Sequence, residues 1–235
     1  MPSAADQILQ GLQAVAAERA ARAGDSSLAA SCEAVKRYQH ARFGVSYADL
    51  MAQRRYARAA EFFLTDLYGP ADFSDRDDQF ARIVPALVRL FPGHIVETVG
   101  ELAELHALSE RLDTAMARQR LADRPASAAV AGADYGRWWR AVGDPPARER
   151  QIALMVAVGQ ALDRYTRNLL LRQSLRLMRG PAAAAGLGAL QGFLERGFDT
   201  FREMAGAQVF LDTIATRERQ LAAALFAGGA GPDLP

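Results

Sequence analysis

Cysteine and lysine are almost missing from this chain of 235 residues, which contains one cysteine, Cys32, and one lysine, Lys36. A single cysteine cannot form an intramolecular disulfide or a multi-cysteine zinc site. Histidine is also scarce, at three residues, so the chain offers few nitrogen ligands for a metal. No apolar run approaches the roughly twenty residues of a membrane-spanning helix. We therefore expect a cytoplasmic protein with no membrane partner.

Neither sign of charge dominates the sequence. The 28 basic residues balance 27 acidic ones, which leaves a formal net charge of +1. Such a chain has no overall field to attract nucleic acid, so we expect no nucleic-acid partner. Hydrophobic residues make up 50% of the chain, which is typical of a globular protein with a buried core.

Apolar residues recur with helical spacing almost throughout, and no stretch convincingly alternates with period two. This pattern predicts an all-α fold, an irregular multi-helix bundle of about seven to nine helices. We expect a single domain, 1–235, because no internal repeat or long linker divides it. The first helix, within 1–25, is expected at the periphery, and residues 227–235 are expected to form a disordered tail.

Three long apolar patterns predict the centre of this bundle, at about 50–68, 94–120 and 145–178. The last of these begins at an Asp-Pro pair, which is a strong signal for a helix start. Small residues at 121–133 interrupt the pattern and predict a mobile loop.

Aromatic and charged residues are unusually dense in "FFLTDLYGPADFSDRDDQFARIVP", residues 62–85. Gly69 and Pro70 predict a helix end, and Ser74 with Asp77 predicts a capping pattern at the start of the next helix. A kink or a restart is expected at Pro85.

An acidic ligand could bind near this corner through Tyr68, Arg76 and Arg82. The alternative is structural, since an arginine here could instead pair with a neighbouring aspartate, Asp66 or Asp72. Both interpretations stay open on the sequence.

A polar strip is predicted on one helix by "ELHALSERLD", residues 104–113. His106, Ser109, Glu110 and Asp113 recur at spacings of three and four, so they share a face. This pattern allows His106 to be a haem or metal ligand, or an acid-base group beside Glu110. The simpler alternative is a histidine at the edge of the core that donates to Glu110.

Known catalytic motifs are absent, so no catalytic residue is assigned, and neither a cofactor nor a ligand can be named. We expect a non-enzymatic helical binding or interaction protein, with homodimerisation through the C-terminal helices. The alternative is a haem- or metal-binding protein with His106 as ligand. Glycines within these helices suggest close packing there: Gly186, Gly188, Gly192, Gly197 and Gly206.

Four stretches together resemble a known family: "RRYARAAEFFLTDLYGPADFSDRDDQFARIVPALVRLFP", "ELHALSERLDTAMA", "RQIALMVAVGQALDRY" and "FREMAGAQVFLDTIATRE". That family is an uncharacterised group of helical bacterial proteins, a domain of unknown function, and the FFLxDLYGPxDF motif is its most specific part. The resemblance covers roughly residues 35–220. It implies a single full-length domain in a bacterial protein, and no activity, cofactor or catalytic residue.

Overall fold

The computed structural model describes residues 3–67, 73–123, 129–232 and 234, and these ranges contain helices and no strand. The predicted all-α class is therefore confirmed. None of the described helices combines the length and the apolarity that crossing a membrane requires. In chain order the helices are α1 (Ala4–Ala23), α2 (Ser26–Ser46), α3 (Ala48–Met51), α4 (Ala57–Phe62), a π-helical turn (Phe63–Leu67), α5 (Ser74–Leu90), α6 (Gly93–Ala122), α7 (Gly132–Val142), α8 (Pro145–Thr166), α9 (Leu169–Leu177), α10 (Arg179–Ala184), α11 (Gly188–Glu203) and α12 (Gln208–Phe226).

The described helices outnumber the expected seven to nine, because long predicted helices are divided. The predicted start of α8 is confirmed, since the Asp144 side chain accepts a hydrogen bond from the Ala147 N–H and Pro145 follows directly. The predicted length of this helix, 145–178, is nevertheless wrong, because α8 ends at Thr166. Asn168 accepts a hydrogen bond from the Leu170 N–H, and this cap starts α9 as a separate helix.

The corner before α5 also differs from the expected pattern. Ser74 is the first residue of the helix and not its cap, because the N-cap position is held by Phe73, which provides no side-chain cap. Asp77 instead lies 2.9 Å from Arg19 of α1. The helix continues through Pro85 without a restart. Part of the loop expected at 121–133, residues 124–128, lies outside the described residues.

The largest apolar cluster lies where α2, α3 and α4 meet α8, α11 and α12. The predicted helix over 50–68 does contribute to this centre, but as α3, α4 and the π-helical turn. Aromatic rings fill much of the cluster, and large aromatic side chains bury more apolar surface than any other residue type. Its members include Phe43, Tyr47, Phe62, Phe63, Met155, Phe201, Phe210, Leu211 and Ile214.

The first helix and the described residues after α12 are packed against the rest of the fold. Helix α1, expected at the periphery, lies along α6 and buries Ile8, Leu12 and Val15. The C-terminal segment, expected to be disordered, returns to α2 and α7. There the Gly231 N–H donates to the Gly132 carbonyl at 2.8 Å, and the Tyr38 hydroxyl donates to the Pro232 carbonyl at 2.8 Å.

Gly11 allows the close approach of α1 to α6. A Cβ atom at Gly11 would lie 3.1 Å from both the Cβ and the carbonyl oxygen of Ala103. We expect Gly11→Val to lower the free energy of unfolding by about 1–3 kcal/mol, because the backbones must separate. At Gly44 in α2, a Cβ atom would meet nothing within 4 Å beyond the backbone of its own helix, so Gly44→Val should change the stability by less than about 0.5 kcal/mol. Urea denaturation measures both, and equal effects would contradict the close crossing.

Candidate functional site

Glu110 is the centre of a buried network of charged side chains. Arg22 of α1 donates to its Oε2 at 2.5 Å, and Lys36 of α2 donates to its Oε1 at 2.8 Å. Arg22 also donates to the Thr114 hydroxyl, one turn further along α6, at 2.7 Å. One carboxylate therefore joins three helices.

The surroundings of Glu110 favour its ionised form. Burial alone would raise the pKa of Glu110, but the nearby His106, the hydrogen bond from Lys36 and the charges of Lys36 and Arg22 outweigh it. Together they hold the pKa of Glu110 well below its ordinary value. The carboxylate is thus a fixed negative charge inside the protein.

The pKa of Asp113, on the same strip of α6, is shifted in the opposite direction. Burial raises its pKa, and the charge of Glu110 raises it further. Lys36 at 4.0 Å and a hydrogen bond of 3.0 Å from the Gln39 amide offset this only in part. The predicted strip therefore contains two carboxyl groups whose pKa values are shifted apart.

His106 faces charged neighbours through both of its ring nitrogens. Nδ1 lies 3.6 Å from Asp77, while Nε2 lies 3.7 Å from Glu110 and 3.4 Å from Arg19. In the described part of the chain, no three or more His, Cys, Asp or Glu side chains are grouped to hold a metal ion. The imidazole therefore lies between an aspartate, a glutamate and an arginine.

Arg76 connects this network to the protein surface. Its Nε lies 3.5 Å from Asp77, and its NH1 donates to the Asp66 carbonyl at 2.9 Å. Its guanidinium carbon lies 4.3 Å from the centre of the Phe73 ring and 4.5 Å from that of Phe193. Two aromatic rings thus hold the predicted binding residue in place.

A half-open cleft of about 270 Å³ adjoins Arg76, between the start of α5 and the first turns of α11. Arg196 crosses to the Asp66 carboxylate, with Nε at 3.0 Å and NH2 at 2.5 Å from its Oδ1. The Asp66 carboxylate is therefore paired with a distant arginine, whereas the sequence had suggested an arginine of the same corner. The cleft is lined by Asp66, Phe73, Asp75, Arg76, Gly188, Ala189, Gly192, Phe193 and Arg196.

The other two residues predicted at this corner are Arg82 and Tyr68. Arg82 donates to the Gly186 carbonyl at 3.0 Å, in the turn before α11, and does not line the cleft. Tyr68 lies outside the described residues. Of the two predicted residues that the structure describes, Arg76 lies at the cleft and Arg82 does not.

A second buried polar cluster lies further along the bundle. Arg42 donates to both carboxylate oxygens of Glu218, at 2.8 and 3.1 Å, and the Tyr47 hydroxyl donates to the same side chain at 2.6 Å. Arg148 stacks on the Trp139 ring at 3.7 Å. The enclosed space, about 30 Å³, suits one or two waters and is too small for an organic ligand.

Several residues of these sites have no distinctive signal in the sequence. Arg22 and Lys36 are 88 and 74 residues from Glu110, and Arg196 is 130 residues from Asp66. The exception is Lys36, because it is the single lysine of the sequence.

Residues 18–232 match the family described as a domain of unknown function, DUF8198. The chain belongs to this family. No curated protein and no solved structure matches the chain. Because the DUF8198 region includes both Arg19 and Glu218, the network, the cleft and the second polar cluster all lie within the family domain.

Removal of the Glu110 charge should destabilise the folded protein. In Glu110→Gln the buried Arg22 and the partly buried Lys36 lose their partner, so we expect the free energy of unfolding to fall by about 3–5 kcal/mol. Glu33, paired with Arg37 on the exposed face of α2, is the matched control. Glu33→Gln should cost less than about 0.5 kcal/mol. Similar losses in urea denaturation at neutral pH would contradict the assigned role of Glu110.

The two carboxyl groups should also give opposite pH dependences. Because the folded-state pKa of Asp113 is raised, its contribution to stability is lost as the pH rises above the unfolded value of 3.8. The stability of Asp113→Asn relative to the unmodified protein should therefore increase as the pH rises above 3.8. The contribution of Glu110 is fully present above 4.5 and is lost as the pH falls through its lowered pKa. Denaturation at several pH values tests the sign of each slope.

Proposed function

We propose that the protein is a non-enzymatic helical interaction protein that associates with a second copy of itself through α9 and α11. The observation that carries this proposal is an outward-facing row of leucines. Leu170 and Leu177 are 72% and 78% exposed, and they lie seven residues apart on one line of α9. Met178, directly after the helix, is 50% exposed. A surface helix of a monomer normally turns polar residues outward at such positions.

Helix α9 is apolar on two sides. Leu171 and Leu175 are partly buried, on the side that packs against the helices of the same chain. Leu170 and Leu177 point the other way. The leucines of the inner side pack within the chain. Those of the outer side are exposed, and a partner can cover them.

The charges around this surface complement a second copy. Arg172 lies 3.1 Å from Asp199, and Arg179 lies 2.5 Å from Glu195. A basic row on α9 and α10 thus runs beside an acidic row on α11. A two-fold axis between the rows would place each basic row over the partner's acidic row, as an isologous interface requires. An anionic membrane or a nucleic acid would instead meet both signs of charge.

The interface has to extend beyond α9. A stable protein interface buries about 1,200–2,000 Å² in total, which is more than a nine-residue helix alone provides. Leu194 of α11 is 39% exposed and offers a further apolar side chain on a helix that packs against α9. The proposed surface therefore consists of the exposed faces of α9, α10 and α11.

The glycines of the C-terminal helices have roles within the chain. A Cβ atom at Gly197 would lie 3.1 Å from the Phe62 ring, so this glycine lets α11 approach α4. Gly186 and Gly206 have φ angles of +67° and +115° and form turns. The proposed association therefore depends on leucines, where the sequence had suggested glycines.

Charges placed on the leucine row should abolish the association. The variant with Leu170→Glu and Leu177→Glu should have the mass of one chain, 25.4 kDa, because an ionised carboxylate cannot be buried there without a partner. The unmodified protein should approach twice that mass at high concentration. Light scattering after size-exclusion chromatography, from micromolar to near-millimolar protein, measures both masses.

The matched control is Leu90→Glu. Leu90 is 69% exposed and lies at the end of α5, so its replacement should leave the mass of the unmodified protein unchanged. A mass of one chain at every concentration for the unmodified protein would rule out self-association. Equal effects of Leu90→Glu and the double variant would show that α9 is not the interface.

A further inference from the structure

Arg196 presents part of its guanidinium to the cleft. Its Nε and NH2 bind Asp66, and neither bond uses NH1. NH1 lies beside Gly192, 3.2 Å from the position that a Cβ atom would take there. The Arg196 side chain is 58% exposed, so a ligand in the cleft can reach this donor without displacing the ion pair.

Arg76 contributes a positive charge that its neighbours compensate only in part. Burial lowers its pKa, and the nearby charges of Asp77 and Asp66 reduce this effect without cancelling it. The charge of Arg19 acts in the same direction as burial. A negative group in the cleft would relieve this imbalance.

The first turn of α11 faces the same space. Gly188 and Ala189 line the cleft, and the N–H groups of a helix's first turn have no acceptor within the helix. Leu187, at the N-cap position, provides no side-chain cap. The Gln79 side chain accepts from the Leu190 N–H at 2.9 Å.

The acidic residues of the cleft are balanced or exposed. Asp66 is paired with Arg196, and Asp75 lies on the exposed side of α5, where solvent screens it. Among the described residues of the cleft, Arg76 and the α11 N-terminus therefore leave a slightly positive interior. A single negative charge fits that balance better than two.

We infer that this cleft binds a small organic carboxylate with an apolar body. The carboxylate would lie against Arg196 and the first turn of α11, and the apolar body would lie against the Phe73 and Phe193 rings. The cleft's volume of 270 Å³ equals that of about nine waters, which suits an acid the size of benzoate. Small residues at 188, 189 and 192 leave this space open. The inference is independent of self-association.

The test uses 4-fluorobenzoate as the probe and its neutral counterpart, 4-fluorobenzamide, as the ligand control. Fluorine NMR line broadening on the full chain measures the binding of each. We expect broadening with the carboxylate and little with the amide, because the amide lacks the charge. Arg196→Gln should weaken binding of the carboxylate about tenfold, through the loss of a charge-assisted hydrogen bond.

Gly192→Leu is the blocking variant. The new side chain would enter the cleft, where its nearest neighbour is the movable end of Arg196. Gly100→Leu, in α6, is the matched control, since no atom lies within 4 Å of a Cβ there. Binding should be lost in Gly192→Leu and retained in Gly100→Leu. Circular dichroism shows first that each variant is folded, and Arg196→Gln, at an exposed side chain, provides the test if Gly192→Leu does not fold.

Three results would overturn the inference. Absence of broadening with millimolar 4-fluorobenzoate would exclude a carboxylate of this size. Equal broadening with the amide would exclude recognition of the charge. Unchanged binding in Gly192→Leu would place the ligand elsewhere on the protein.

Discussion

Burial of the Glu110 carboxylate imposes a condition that α1, α2 and α6 have to satisfy together. An ionised carboxylate inside a protein costs several kcal/mol unless cations and hydrogen bonds surround it. Arg22 and Lys36 meet this condition from two different helices, at 2.5 and 2.8 Å. Contacts between apolar side chains would tolerate small shifts of one helix along another, whereas hydrogen bonds of these lengths would break. The ion network therefore fixes the register of the three helices more than it increases stability.

The same network determines the position of the cleft. Asp77 of α5 lies 2.9 Å from Arg19 of α1 and 3.6 Å from His106 of α6, so the first turn of α5 is attached to the core by charge. Arg76 precedes Asp77 and forms one wall of the cleft. Because Asp77 anchors this wall to α1 and α6, the cleft is preorganised. Preorganisation reduces the entropy cost of binding a ligand.

Features that depend on local spacing could be predicted from the sequence. His106, Glu110 and Asp113 were placed on one strip, because spacings of three and four define a helix face wherever the helix forms. The start of α8 at Asp144 was equally local. The break at Asn168 could not be predicted in this way, because the leucines on either side continue the helical period and the cap forms through a single side-chain bond.

The partners of these residues depend on how the helices cross, which no local pattern records. Arg22 and Lys36 resemble other surface cations until α1 and α2 pack against α6. The sequence indicated that Arg76 and Asp66 belong to one corner, but the cleft also requires Arg196, 130 residues from Asp66. The sequence therefore predicted the side of the cleft that the start of α5 forms. It did not predict the side that α11 forms.

Helix α11 contributes to both proposed surfaces. Glu195 pairs with Arg179 on the side of α9, while its neighbour Arg196 pairs with Asp66 at the cleft. Gly197, the next residue, holds the helix against Phe62 of the central aromatic cluster. Three consecutive residues thus connect α11 to the association surface, to the cleft and to the core. Because the core fixes this helix, both surfaces are formed once the chain has folded, and neither requires a conformational change to appear.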